Sequence, residues 1–172
     1  MASEIPSNAI RVDMRELSDG LDEWALAIGR FLVAFSSCEY WTYQFIRTYG
    51  SENLRESISD LQLKARAAIA HALVTDIGLT SEAQKRVDQA FAELSRLAKP
   101  RNLVAHNCPL VQLYKDERGE IFVRHELRSA RDELKDITIE RLAALTVESR
   151  DLDQELALLY GLIRQPANHR CE

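Results

Sequence analysis

The sequence predicts an all-α protein: an antiparallel four-helix-bundle-like core with a small β-hairpin inserted before the last long helix. Apolar residues recur at three-and-four spacing over most of the chain, and glycines and a capping pattern divide these runs. Two short runs between residues 110 and 127, on either side of a turn that contains Gly119, instead read as strands. Neither a glycine-rich phosphate loop nor a Rossmann fingerprint is present.

The first helix is expected to carry an apolar stripe of Leu21, Trp24, Ile28, Phe31, Leu32, Phe35, Cys38, Phe45, Ile46 and Tyr49, ending at Gly50. A second helix should start near Glu52 and stop at Gly78, with a seam of Leu54, Ile58, Leu61, Ala65, Ala68, Ile69, Ala72 and Leu73. Ser81 followed by Gln84 has capping-box spacing and opens a third helix, whose seam is Val87, Ala90, Phe91, Leu94, Leu97 and Ala98. Pro100 lacks a backbone donor and crowds the carbonyl of Arg96, so a kink or short break is expected there before the periodicity resumes at Val104 and Ala105. Leu110 to Tyr114 and Ile121 to Leu127 read as two strands joined by Asp116-Glu117-Arg118-Gly119, with glycine in the left-handed position. From Ile139, residues Leu142, Leu145, Leu152, Leu156, Leu159 and Ile163 define the last long helix, and Gln165-Pro166 begins a polar tail. Short connections favour antiparallel neighbours.

A chain of 172 residues that is 46% hydrophobic and 28% charged fits one domain, residues 1–172, with flexible ends at about 1–15 and 165–172. The net charge of −5 excludes a broad nucleic-acid-coating surface, because non-specific phosphate affinity comes from clustered Lys and Arg. Any RNA contact must be local. Lys85, Arg86, Arg96, Lys99 and Arg101 share one segment with the acids Glu82, Asp88 and Glu93, which is either such a contact or a solvated helix face. Cys38, Cys108 and Cys171 are odd in number and far apart, which argues against a disulfide framework or zinc knuckle and for a reducing cytoplasm. The N-terminus lacks the regions of a signal peptide, and the apolar run from Trp24 to Ile46 is too polar for a membrane span.

The chemistry-bearing stretch is Arg101-Asn102-Leu103-Val104-Ala105-His106. A guanidinium fork matches phosphate oxygens, and an imidazole exchanges protons near neutral pH, so together they suit cleavage of a phosphodiester. Arg101-Asn102, three intervening residues and His106 resemble the R-x4-6-H signature of the HEPN superfamily, with Asn107 following. The resemblance implies a HEPN-like helical domain acting as a metal-independent endoribonuclease, in which a homodimer brings the Arg and His of both copies into one cleft. It needs no cofactor or metal. In that reaction His106 moves protons as the RNA 2'-hydroxyl attacks phosphorus, Arg101 stabilises the phosphate charge, and Asn102 orients the imidazole or the phosphate. The family also implies a toxin or defence role, with an antitoxin or other regulatory protein as a partner. The alternative within the same resemblance is a non-catalytic dimer that binds nucleotide, RNA or protein. On a continuous helix, residues five apart differ by about 140° in direction and about 7.5 Å in rise, so Arg101 and His106 of one chain do not form a tight pair. Two symmetry-related copies answer this.

Glu39 sits on the apolar stripe of the first helix between Phe35 and Thr42, where a carboxylate needs a partner. It either supports the motif by pairing with Arg101 or His106, or meets Arg30 or Tyr43, or sits exposed at the stripe's edge. Arg96, Lys99 and Arg124 are the candidate RNA-binding cations. His125, with Arg124 and Arg128, could extend that surface or face solvent; His71 reads as packed or partly exposed, and His169 belongs to the tail. Tyr40, Trp41 and Tyr43 suit base stacking but, at helical spacing, equally suit core or interface. No histidine and carboxylate set has metal-ligand spacing.

Overall fold

A computed structural model describes residues 14–107, 109–115, 117–129 and 136–165, giving only the backbone of residues 14–19, 121–124 and 128. Helix α1 spans Met14–Tyr49 and turns Trp24, Phe31, Phe35, Cys38, Phe45 and Ile46 into the core. The stripe expected from the sequence holds, except that Leu21 is exposed. Gly50 ends α1 by donating its N–H to the carbonyl of Ile46 at 2.7 Å, so close that a Cβ would meet that oxygen at 2.6 Å.

The single helix expected from Glu52 to Gly78 is divided. Helix α2, Glu52–Ser57, gives way to a 3-10 turn at Ile58–Asp60, and helix α3, Leu63–Thr75, starts anew. Leu61 and Gln62 adopt extended backbone between them. Ser57, Ser59 and Asp60 explain the break, since short polar side chains compete for backbone groups; the Ser57 hydroxyl donates to the carbonyl of Asn53. The seam of α3 also differs: Arg66, Ala67, Ala70 and Val74 are buried, while Ala65, Ala68 and Ala72 are exposed.

Helix α4 spans Ser81–His106 with Pro100 inside it, so the short break offered as one of two outcomes at the proline does not occur. Its N-cap is Thr80 rather than Ser81: the Thr80 hydroxyl accepts from the N–H of Ala83, and Gln84 reaches Thr75 and Asp88 instead of closing a capping box. Strands β1, Pro109–Lys115, and β2, Ile121–Arg128, pair antiparallel, with Gly119 at φ +86 in the connection. A third strand, β3, Asp136–Ile137, adds to β2 with Ile137 opposite Leu127. Two residues are too few to show a period of two, so the sequence carried no signal for it. Helix α5, Ile139–Ile163, starts at an N-cap by Thr138 and buries every residue named for its seam. Expectations placed on Cys108, Asp116, Cys171, His169 and the ends of the chain lie outside the described residues.

Contacts between helices give their directions. Cys38 meets Ser149, Trp41 meets Asp153 and Thr48 meets Tyr160, so α5 runs parallel to α1. Phe45 packs on Phe91 while Glu39 meets Arg101, so α4 runs the opposite way. His71 with Asp88 and Thr75 with Gln84 set α3 antiparallel to α4. Helices α1, α3 and α5 therefore run in one direction with α4 against them, and the described residues form five helices and a three-stranded sheet rather than an alternating antiparallel four-helix bundle. No helix among the described residues is long and apolar enough to cross a membrane.

Candidate functional site

Three charged residues stand at core-facing positions of three different helices, and the fold brings them together. Glu39 lies between buried Phe35 and Thr42 on α1, Arg66 lies one turn before buried Ala70 on α3, and Arg101 lies between buried Leu97 and Val104 on α4. One carboxylate serves both cations. Oε2 of Glu39 accepts from Arg66 at 3.3 Å, and Oε1 is 3.2 Å from the Arg101 guanidinium.

The two halves of this bracket differ. Arg66, with 6% of its side chain exposed, also donates to the Thr42 hydroxyl at 3.0 Å and the Leu61 carbonyl at 2.7 Å, and its guanidinium lies over the Tyr43 ring. Each of its three nitrogens therefore donates to a partner. Arg101 is 33% exposed and its contact with Glu39 lacks the alignment of a hydrogen bond, so distance alone makes it an ion pair. Its other described contact is a donation to the Asn102 side-chain oxygen at 3.2 Å. Two guanidiniums against one carboxylate leave an excess positive charge, and the outer guanidinium keeps donors toward solvent.

His106 is the last residue of α4 and is exposed. Asn107 closes the helix in extended backbone, its side-chain amide donating to the carbonyl of Leu103 at 2.7 Å. Because α4 is continuous, Arg101 and His106 differ by about 140° in direction. Arg101 turns inward to α1 and His106 turns away.

The remaining cations named from the sequence do not converge on this place. Arg96 donates to Glu93 and to Glu148, and Arg141 binds the same Glu148. The hydrogen bonds to Glu93 and Glu148 raise the Arg96 guanidinium well above its ordinary range. The hydrogen bond from Arg96 lowers Glu93; burial works to raise Glu148, but bonds from Arg141 and Arg96 outweigh it and lower that carboxyl too. Arg86 is likewise held by Glu155. The apparent basic stripe is thus largely a set of ion pairs across α4 and α5, with Lys99 exposed. Arg124 falls on β2 opposite Gln112, and its side chain lies outside the described part. His125 points inward against Gly20 of α1, its Nε2 buried without a hydrogen bond. His71 pairs with Asp88 at 2.7 Å beside the Phe91 ring. That bond and one from Gln84 lower the Asp88 carboxyl. Burial pushes the Cys38 thiol up to about 12, which suits a packed and unreactive sulfur.

The sequence pointed to Glu39, Asn102, Arg101 and His106 but missed Arg66. Its signal was present: Arg66, Ala70 and Val74 recur every four residues. Five alanines between residues 65 and 72 made several faces look equally apolar and hid it. Among the described residues no group of three or more His, Cys, Asp or Glu is placed to hold a metal ion. Comparison with protein-family models, curated proteins and solved structures finds no match to this chain.

Proposed function

We propose that this protein is a metal-independent endoribonuclease of the HEPN type, working as a homodimer whose two motif segments form a shared RNA-binding cleft. The observation that carries this reading is the unequal bracket around Glu39. Arg66 is locked, whereas Arg101 stays oriented and reachable, and His106 is exposed on the same helix end. A phosphate can approach Arg101 and gain a charge-assisted hydrogen bond without uncovering a buried cation. An imidazole of His106 takes the proton of the RNA 2'-hydroxyl as that oxygen bonds to phosphorus. The bond from phosphorus to the leaving 5'-oxygen breaks, that oxygen receives a proton from the second imidazole, and a cyclic phosphate remains.

The divergence of Arg101 and His106 along one helix supports a composite site, since a second copy supplies the group that the first directs elsewhere. It equally favours one other reading, a dimer that binds an RNA phosphate at Arg101 without cutting. Purified protein incubated with an RNA panel in EDTA separates them. Cleavage that yields cyclic phosphate ends and vanishes in Arg101→Ala and His106→Ala is the expected result. RNA binding without cleavage, lost in Arg101→Ala and kept in His106→Ala, would favour the binding module. A protein partner that masks the cleft, such as an antitoxin, would suppress cutting in the same assay.

A further inference from the structure

Helices α1 and α5 lie side by side and parallel, and the trough between them opens on the outer surface of the molecule. It runs along α1 from Glu23 to Trp41, roughly eighteen residues or about 27 Å of helix. Its walls are apolar yet uncovered: Leu26, Val33 and Tyr40 on α1 and Val147 on α5 are 53%, 70%, 52% and 55% exposed. Single exposed apolar residues are ordinary, but four along one trough make a continuous patch. Those on α1 lie seven residues apart and so keep one line along the helix. Between them Gly29, Ser36 and Ser37 are small, and a Cβ at Gly29 would meet nothing within 4 Å, so another backbone can come close.

The charges in the trough are unevenly matched. Arg66, Arg86, Arg96, Arg101 and Arg141 are each held by a carboxylate of this chain. Arg30 and Arg150 are exposed and have no ion pair or hydrogen bond among the described residues. Both line the middle of the trough and its Leu26 end. The acids of the trough do not answer them: Asp153 accepts from the Trp41 indole N–H at 2.7 Å, and Glu23 stands at the far end. A guanidinium without a partner keeps its fork of donors for an arriving carboxylate.

We propose that this trough is the docking surface for an amphipathic helix of another protein, one with carboxylates at its centre and an apolar stripe running past them. The stripe covers Leu26, Val33, Tyr40 and Val147, and the carboxylates pair with Arg30 and Arg150, which is recognition of a helix in a groove. A second copy of this chain fits poorly, because a two-fold axis through the trough sets the arginines of both copies against one another. A lipid surface selects a uniformly cationic rim, which Glu23 and Asp153 interrupt. Arg30 and Glu39, nine residues apart on α1, point about 180° from each other, so the trough and the Arg101 cluster lie on opposite sides of that helix. The surface therefore neither depends on the ribonuclease reading nor competes with its cleft.

Two synthetic helices of about 20 residues, long enough to fill the trough, test this by fluorescence anisotropy with the full chain. Both carry leucines in heptad spacing; one has glutamates beside the stripe at its centre, and its twin has lysines there. The chain should bind the glutamate helix about tenfold more tightly than the lysine helix, and the difference should shrink as salt rises. Arg30→Glu combined with Arg150→Glu should reverse that preference, a gain that a misfolded chain cannot give. Val33→Asp should weaken both helices with unchanged circular dichroism, since the side chain already faces solvent, while Arg101→Ala should bind as the wild type does. Equal binding of the twins, binding indifferent to the double reversal, or no binding of the glutamate helix at millimolar concentration would each overturn the proposal. A wild-type dimer that Val33→Asp separates would overturn it in favour of a second copy, and flotation with phosphatidylserine vesicles that the double reversal abolishes would do so in favour of a membrane.

Discussion

Glu39 determines whether two arginines can stand where three helices meet. Without it, Arg66 would be a guanidinium 6% exposed with only neutral oxygens to bond, and the desolvation of a lone buried cation far exceeds what such bonds return. Glu39→Ala is therefore expected to cost about 3 kcal/mol by urea denaturation, the range for removing one member of a buried pair. Glu39→Gln should cost less, because an amide oxygen still accepts from one arginine. Equal losses in the two variants would show that packing rather than pairing holds this corner. The need for a partner at Glu39 was legible from its place on an apolar stripe. Arg101 was among the partners its position suggested, but Arg66 was not, because helix periodicity gives the direction of each side chain but not which neighbour arrives there.

Helix α4 shows how local rules yield to packing. Proline removes the N–H that would bond to the Arg96 carbonyl, yet the helix continues through it because Leu97, on one side, and Val104, on the other, both face the core. The burial of a long seam outweighs one missing bond. Pro100→Ala should restore that bond and raise stability by about 1–3 kcal/mol, read from the denaturation midpoint. No gain would mean that the proline ring itself packs in a way alanine cannot replace. Strong seams made α1, the first part of α4 and α5 readable from the chain, while the caps at Thr80 and Thr138 emerged from the structure. The segment from 52 to 78 was misread as one helix because Leu54, Ile58 and Leu61 keep helical spacing across a break made by short polar residues.

The sheet docks on the bundle at a contact that spans more than a hundred residues of sequence. Gly20 on α1 leaves room for the imidazole of His125 on β2, and a Cβ there would occupy the ring's position. Gly20→Ala is expected to displace the sheet and lower the melting temperature, and adding His125→Ala should recover much of the loss. Such coupling is a signature of direct contact. Simple addition of the two effects would show that they do not share this space. The same long-range packing sets α5 parallel to α1 and leaves Leu26, Val33 and Tyr40 facing outward.

Read along the chain, periodicity and stop signals were enough to establish a helical protein, the order of its main elements, the hairpin before the last helix, and the Arg101 to His106 segment. These are local properties: turn, cap and stripe depend on residues within a few positions of one another. The division of the second helix, the continuity of α4, the third strand and the shared carboxylate of Arg66 and Arg101 came from the folded arrangement. Each depends on which surfaces meet across long stretches of chain, and there the burial of whole seams competes with local preference and outweighs it.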